Sequence, residues 1–179
     1  IKKISPRIDN AEISEEISEI KDLLENSSNI SRNLIFELHP RILYDLGLRT
    51  ALEKIINDFK KSADIDIRLE YRIDFNPSDD VSFLIFANSR EILVNAVKHS
   101  QCKNILIGIK YENSFIKVDI KDDGKGFDMD KYKKELDKHF GLFDVGERLK
   151  NFSGTLNIET NVGEGTLVSF KIPYDGSEK

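Results

Sequence analysis

Residues able to do chemistry cluster in three short stretches of this sequence. In the first, Ile116, Val118 and Ile120 alternate with charged residues, the period of a half-buried strand. Asp122 is the next residue in phase, so its carboxylate points to the same interior face as the isoleucines. A buried carboxylate without a partner costs several kcal/mol or takes up a proton, so a partner is required. Gly124 and Gly126 follow at once and leave two positions without a Cβ. A ligand can approach such a backbone closely, and the chain can turn there with positive φ. An inward acid beside a glycine-lined loop reads as a small-molecule pocket. A charged surface turn is the alternative that these residues alone leave open.

The second stretch is Gly163-Glu164-Gly165-Thr166, leading into Val168, Phe170 and Ile172. Thr166 is in phase with those three, so its hydroxyl also points inward. The third is Glu91, Asn95 and His99, spaced i, i+4, i+8 along one stripe of a helix. Ile92, Leu93, Ala96 and Val97 cover the other side of that helix. Taken singly, such a stripe is more often just a solvated helix face.

In this order the three stretches resemble the nucleotide-binding boxes of the GHKL ATPases, most closely the ATP-binding domain of sensor histidine kinases. Glu91-xxx-Asn95-Ala96-xx-His99 matches the N box, Asp122-x-Gly124-x-Gly126 the first glycine box and Gly163-x-Gly165-Thr166 the last. Gly141-Leu142, followed by Glu147-Arg148, is similar to the second glycine box and its helix. The resemblance runs from about Asp64 to Pro173 and is specific as an ordered set. It implies a two-layer α/β sandwich of the Bergerat type that binds ATP with Mg²⁺. Asp122 would accept a hydrogen bond from the adenine amine, selecting adenine over guanine, with Thr166 assisting directly or through water. Asn95 would give Mg²⁺ a neutral amide oxygen. Glu91 would act as general base. Lys98 or His99 would meet phosphate oxygens.

The chain departs from the family just before Gly141, where Lys138, His139 and Phe140 stand in place of further glycines. Fewer glycines leave fewer backbone donors to wrap phosphates. The lysine-rich stretch from Asp128 to His139 is expected to serve as a charged lid, with an ordinary exposed helix as the alternative.

The elements that must position these residues follow from the same pattern. Strands are expected near Ile65–Ile73, Asn104–Tyr111, Phe115–Asp122, Thr155–Thr160 and Thr166–Pro173, and helices near Asp80–His99 and Leu142–Phe152. Ile116, Val118, Ile120, Val168, Phe170 and Ile172 should face the helices.

Upstream, Ile13, Ile17, Ile20, Leu24, Ser27, Ser31, Leu34 and Leu38 form a heptad seam. A lone helix cannot bury such a seam, and a second copy of the chain is the expected partner. The division is residues 1–45 as the end of a dimerisation region, 46–63 as a connecting helix and 64–179 as the ATP-binding domain. Glu37-Leu38-His39 at first looks like a phosphoacceptor box. An acid should follow its histidine, and Pro40 stands there instead. The segment Leu43-x-Asp45-Leu46-Gly47-Leu48-xx-Ala51-Leu52 instead resembles the end of the second dimerisation helix in the subfamily paired with helix-turn-helix response regulators. The phosphoacceptor is then expected upstream of Ile1, on a longer parent protein.

Composition sets the outer limits. The 179 residues suffice for one domain of about 110 residues plus an appendage. A net charge of −5 and a pI near 5.3 argue against nucleic acid as a general partner. Cys102 is the only cysteine, which excludes a disulfide framework and a cysteine metal cluster. No apolar run reaches the length of a membrane span, so a cytoplasmic signalling domain with no membrane contact of its own is expected. Two rivals are an anti-sigma-type serine kinase, or another GHKL ATPase, and a catalytically degenerate dimerisation scaffold.

Overall fold

A computed structural model of the chain describes residues 41–134 and 140–176. The heptad seam Ile13–Leu38, His39 and His139 lie outside the described residues. The elements run in the order α1 (Arg41–Ser62), β1 (Asp66–Arg72), α2 (Asp79–Asn95), β2 (Asn104–Glu112), β3 (Phe115–Asp122), α3 (Met129–Lys134), α4 (Phe140–Lys150), β4 (Thr155–Thr160) and β5 (Thr166–Pro173). They build a five-stranded mixed sheet in the order β1-β2-β3-β5-β4. The β1–β2 pair is parallel, and the other three pairs are antiparallel.

The alternation expected of β3 and β5 holds residue by residue. Ile116, Val118, Ile120, Val168, Phe170 and Ile172 are all buried. Cross-strand pairing stacks them in apolar rows: Tyr111–Ile116–Ile172, Ile109–Val118–Phe170–Leu156 and Ile107–Ile120–Val168–Ile158. Leu84, Ile85, Phe86, Ile92 and Leu93 from α2, with Val145 and Leu149 from α4, close the core over that face. At about 25 cal/mol per Å² of apolar surface removed from water, this face supplies the main stabilisation of the sheet. The opposite face is charged: Lys117 pairs with Asp119 at 3.1 Å, and Ser169 Oγ donates to Asp119 Oδ1 at 2.6 Å. Such exposed pairs contribute little stability.

Helix α1 is two helical segments joined at Gly47, whose φ of 79° and ψ of 168° are open only to glycine. Leu43, Leu48, Ala51, Leu52, Ile55 and Ile56 bury its apolar side in the same core. Tyr111, Phe75 and Tyr174 pack as a ring cluster, with Phe75 and Tyr174 stacked 5.3 Å apart. Tyr111 sits in the apolar row farthest from Asp122, so the cluster closes that end of the sheet.

Candidate functional site

The apolar rows end in a polar one. The next inner-face row reads Ile105–Asp122–Thr166–Thr160. Asp122 and Thr166 are both buried, at 6% and 9% exposure, where the pattern of the strands would otherwise place aliphatic side chains. Burial pushes the Asp122 carboxyl above the usual carboxylate range, and the neighbouring Asp123 charge adds to this. The backbone N–H of Gly124, donating to Asp122 Oδ1 at 2.8 Å, works in the opposite direction.

The threonines form a directed chain. Thr160 Oγ1 donates to the Gly165 carbonyl at 2.9 Å and accepts from the Phe127 N–H at 3.1 Å. Its one proton is thereby used, so in the 3.2 Å contact between the two hydroxyls Thr166 is the donor. Thr166 therefore keeps acceptor capacity beside the Asp122 carboxyl.

The glycines here serve the packing of the protein's own chain. A Cβ at Gly124 would lie 2.5 Å from both Cβ and the carbonyl oxygen of Ser100. At Gly126, with φ of 56°, it would collide with the Asn161 carbonyl. Bareness thus lets the three loops close on one another. Lys125 N–H donates to the Ser100 carbonyl at 2.8 Å, and Gly163 N–H to the Lys125 carbonyl at 2.6 Å. Gly165 is buried with its Cβ direction filled by the Asp122 carbonyl, whereas Gly163 is exposed with nothing near it.

Ser100 also links this loop to the α2 helix. The expected α-helical stripe through His99 ends early, because α2 passes into a π-helical turn over Ala96–Ser100 and Gln101 turns left-handed with φ of 57°. Ser100 Oγ donates to the Ala96 carbonyl at 2.7 Å and accepts from the Cys102 N–H at 3.0 Å, competing with the regular helical bond. Lys98 and His99 are exposed on that turn. Cys102 is buried directly after it.

Glu91 and Asn95 are half-buried on α2 and face the start of α4. Gly141 is the contact point: a Cβ there would meet the Glu91 carboxylate and lie 3.0 Å from Asn95 Nδ2. Leu142 is half-buried beside this contact and packs on the core. Glu91, Asn95 and Gly141 therefore come together, and Gly124, Gly126, Gly165 and Thr166 come together at the Asp122 end of the sheet. Among the described residues no cluster of three or more His, Cys, Asp or Glu side chains could hold a metal ion by itself. Of the lid, Met129–Lys134 is a short helix.

Reasoning from sequence missed Asp123. Its Oδ1 accepts the N–H groups of Lys103 and Asn104 at 2.8 and 2.9 Å, and its Oδ2 accepts from Asn104 Nδ2 at 2.7 Å. It clamps the start of β2 to the end of β3. Its position out of phase with the strand was the available signal.

The fold is a mixed sheet covered by helices on one face, ending in a buried Asp–Thr pair. Residues 82–176, more than half of the chain, match the family of histidine kinase-, DNA gyrase B- and HSP90-like ATPases, and the chain belongs to that family. ATP is the nucleotide this domain serves. The sensor histidine kinase ComP of Bacillus subtilis (strain 168) is 32% identical over 162 residues, which cover 90% of this chain and 21% of that protein. The signal transduction histidine-protein kinase/phosphatase DegS of the same organism is 32% identical over 138 residues, 75% of this chain and 36% of that protein. The chain thus spans about a fifth and about a third of these curated relatives. In fold it is similar to the histidine kinase domain of the Erythrobacter litoralis EL346 blue-light activated histidine kinase. There the TM-score is 0.60 at 20% identity, covering 70% of this chain and 60% of that one.

Proposed function

We propose that this chain is the catalytic ATP-binding part of a sensor histidine kinase, holding Mg²⁺·ATP with adenine at Asp122 and Thr166 and the phosphates toward Glu91, Asn95 and the lid. The observation that carries this reading is the polar row at the end of an otherwise apolar sheet face. A buried, glycine-anchored carboxylate suits the exocyclic amine of adenine, and the Thr166 hydroxyl oxygen offers a second polar contact. Gly124, Gly126, Gly163 and Gly165 shape the loops around that base, and Leu142 backs the entry to α4.

The donor set beside Gly141 fits Mg²⁺, which takes hard oxygens and shares its shell with phosphates and water. Asn95 would contribute its amide oxygen. When bound, the ion would neutralise charge on the phosphates. Glu91, half-buried on the same side of α2, would accept the proton of the attacking group. Lys98 and His99, exposed at the end of that helix, would meet phosphate oxygens.

In this reading the phosphoryl group passes to a histidine of the parent protein and then to an aspartate on a response regulator, with helix-turn-helix output suggested by the Leu46-Gly47-Leu48 segment. Pro40 after His39 speaks against His39 as the acceptor. The parent would be cytoplasmic in this part and dimeric through the Ile13–Leu38 seam. No helix among the described residues is long and apolar enough to cross a membrane. Incubating the full-length parent with radiolabelled ATP should yield an acid-labile phosphoprotein whose label survives His39→Gln. Loss of the label in that variant would overturn the acceptor assignment. Acid-stable label on serine would favour the anti-sigma-type kinase instead.

A further inference from the structure

The polar stripe on α2 extends one turn further back than its sequence signature. Asn88 precedes Glu91 by three residues and Asn95 by seven, and its side chain has no exposed surface. Its Oδ1 accepts from Arg148 Nε of α4 at 2.9 Å. The amide orientation is fixed, because a flipped amide would set donor against donor. Seven residues also separate Gly141 from Arg148. The two α2–α4 contacts are therefore spaced by two turns, roughly 10 Å, on α4 and by one to two turns on α2, where Gly141 meets both Glu91 and Asn95. Helix α4 lies antiparallel on α2 and is pinned at both ends of that span.

We propose that Arg148 is a positioning residue for the phosphate end of the nucleotide site, acting through Asn88 and the orientation of α4. This inference rests on the nucleotide reading above. The hydrogen bond to Asn88 is a directional element between two helices that bury Ile92 and Leu93, and Val145 and Leu149, in one apolar core. Apolar contacts tolerate sliding by a fraction of a turn, and a guanidinium bond does not. Its loss lets the Gly141 end drift from Glu91 and Asn95 while Asp122, on the sheet, stays where it is. The bond is also incomplete. Arg148 Nη2 and Asn88 Nδ2 are buried without a hydrogen-bond partner among the described residues. A carboxylate at position 88 would accept from both Nε and Nη2.

The test is an NMR-monitored titration of wild type, Arg148→Lys, Asn88→Leu and Asn88→Asp with Mg²⁺·ATP and with adenosine, alongside thermal melts. Arg148→Lys and Asn88→Leu should weaken ATP about tenfold and leave adenosine within about twofold, as expected for a lost charge-assisted bond acting at the phosphate end. Asn88→Asp should raise the melting temperature and keep ATP affinity. Equal losses for ATP and adenosine would mark Arg148 as merely structural and overturn the proposal, as would unchanged ATP affinity in both weakening variants. A lowered melting temperature with weakened ATP in Asn88→Asp would overturn it too, even if the Arg148 variant failed to fold. Wild type binding adenosine but not ATP would instead sink the nucleotide reading beneath it.

Discussion

Asp122 and Asp123 are neighbours in the chain, yet the sheet drives their carboxyl groups in opposite directions. Asp122 points inward and burial raises it, whereas Asp123 points outward. There the Asn104 side chain, and then the backbone N–H groups of Asn104 and Lys103, hold it below the usual carboxylate range. One residue of strand alternation separates a carboxylate whose ionisation costs stability from one whose ionisation adds to it.

For Asp122 the folded form binds its proton more tightly than the unfolded form. The penalty for ionising it is absent below the unfolded value of 3.8 and develops as pH rises through the folded value. Asp122→Asn keeps an acceptor for the Gly124 N–H and removes that penalty. The nucleotide-free variant should therefore melt above wild type at neutral pH. The two melting curves should converge as the pH falls below the unfolded value. A variant that melts lower at neutral pH would contradict the burial argument.

For Asp123 the sign reverses. Its stabilisation is present above 3.8 and is lost as pH falls through the depressed folded value. Asp123→Asn should destabilise the domain at neutral pH and converge with wild type in acid. Hydrogen exchange should speed up first at the Lys103 and Asn104 amides, whose shared acceptor is weakened.

Gly126 and Gly163, two of the loop glycines with positive φ, should differ in cost. Gly126→Ala combines φ of 56° with a Cβ driven into the Asn161 carbonyl, and should cost more than about 3 kcal/mol in denaturant unfolding. Gly163→Ala, at φ of 88° but in open space, should cost only about 1–2 kcal/mol from backbone strain. Equal costs would mean that the loop around Gly126 yields more readily than its contacts imply.

How much of this could be read from residues alone depended on the range of the interactions. Phe115–Asp122, Thr155–Thr160 and Thr166–Pro173 are strands with the bounds their alternation predicts, since period two is set locally. The inward turn of Asp122 and Thr166 followed from the same phase. The π turn at Ala96–Ser100 was not legible, because a hydroxyl's choice of the Ala96 carbonyl leaves no periodic trace. The bareness of Gly124 and Gly126 is legible in the sequence, but the loop partners Ser100 and Asn161 that approach them are not. Asn88 and Arg148 are 60 residues apart, and only the packing of α2 on α4 brings them together.

In the proposed function, the Asp122 carboxylate reads adenine. Calorimetric titration of the wild-type chain with Mg²⁺·ATP and Mg²⁺·GTP, repeated with Asp122→Asn, tests it most directly. Wild type should bind ATP and discriminate against GTP, whose exocyclic groups present the wrong donor and acceptor pattern to a carboxylate. Asp122→Asn, which can present a donor to the adenine amine, should weaken ATP by about 1–3 kcal/mol. Wild-type ATP affinity in that variant, or GTP bound as tightly as ATP by the wild type, would contradict the account.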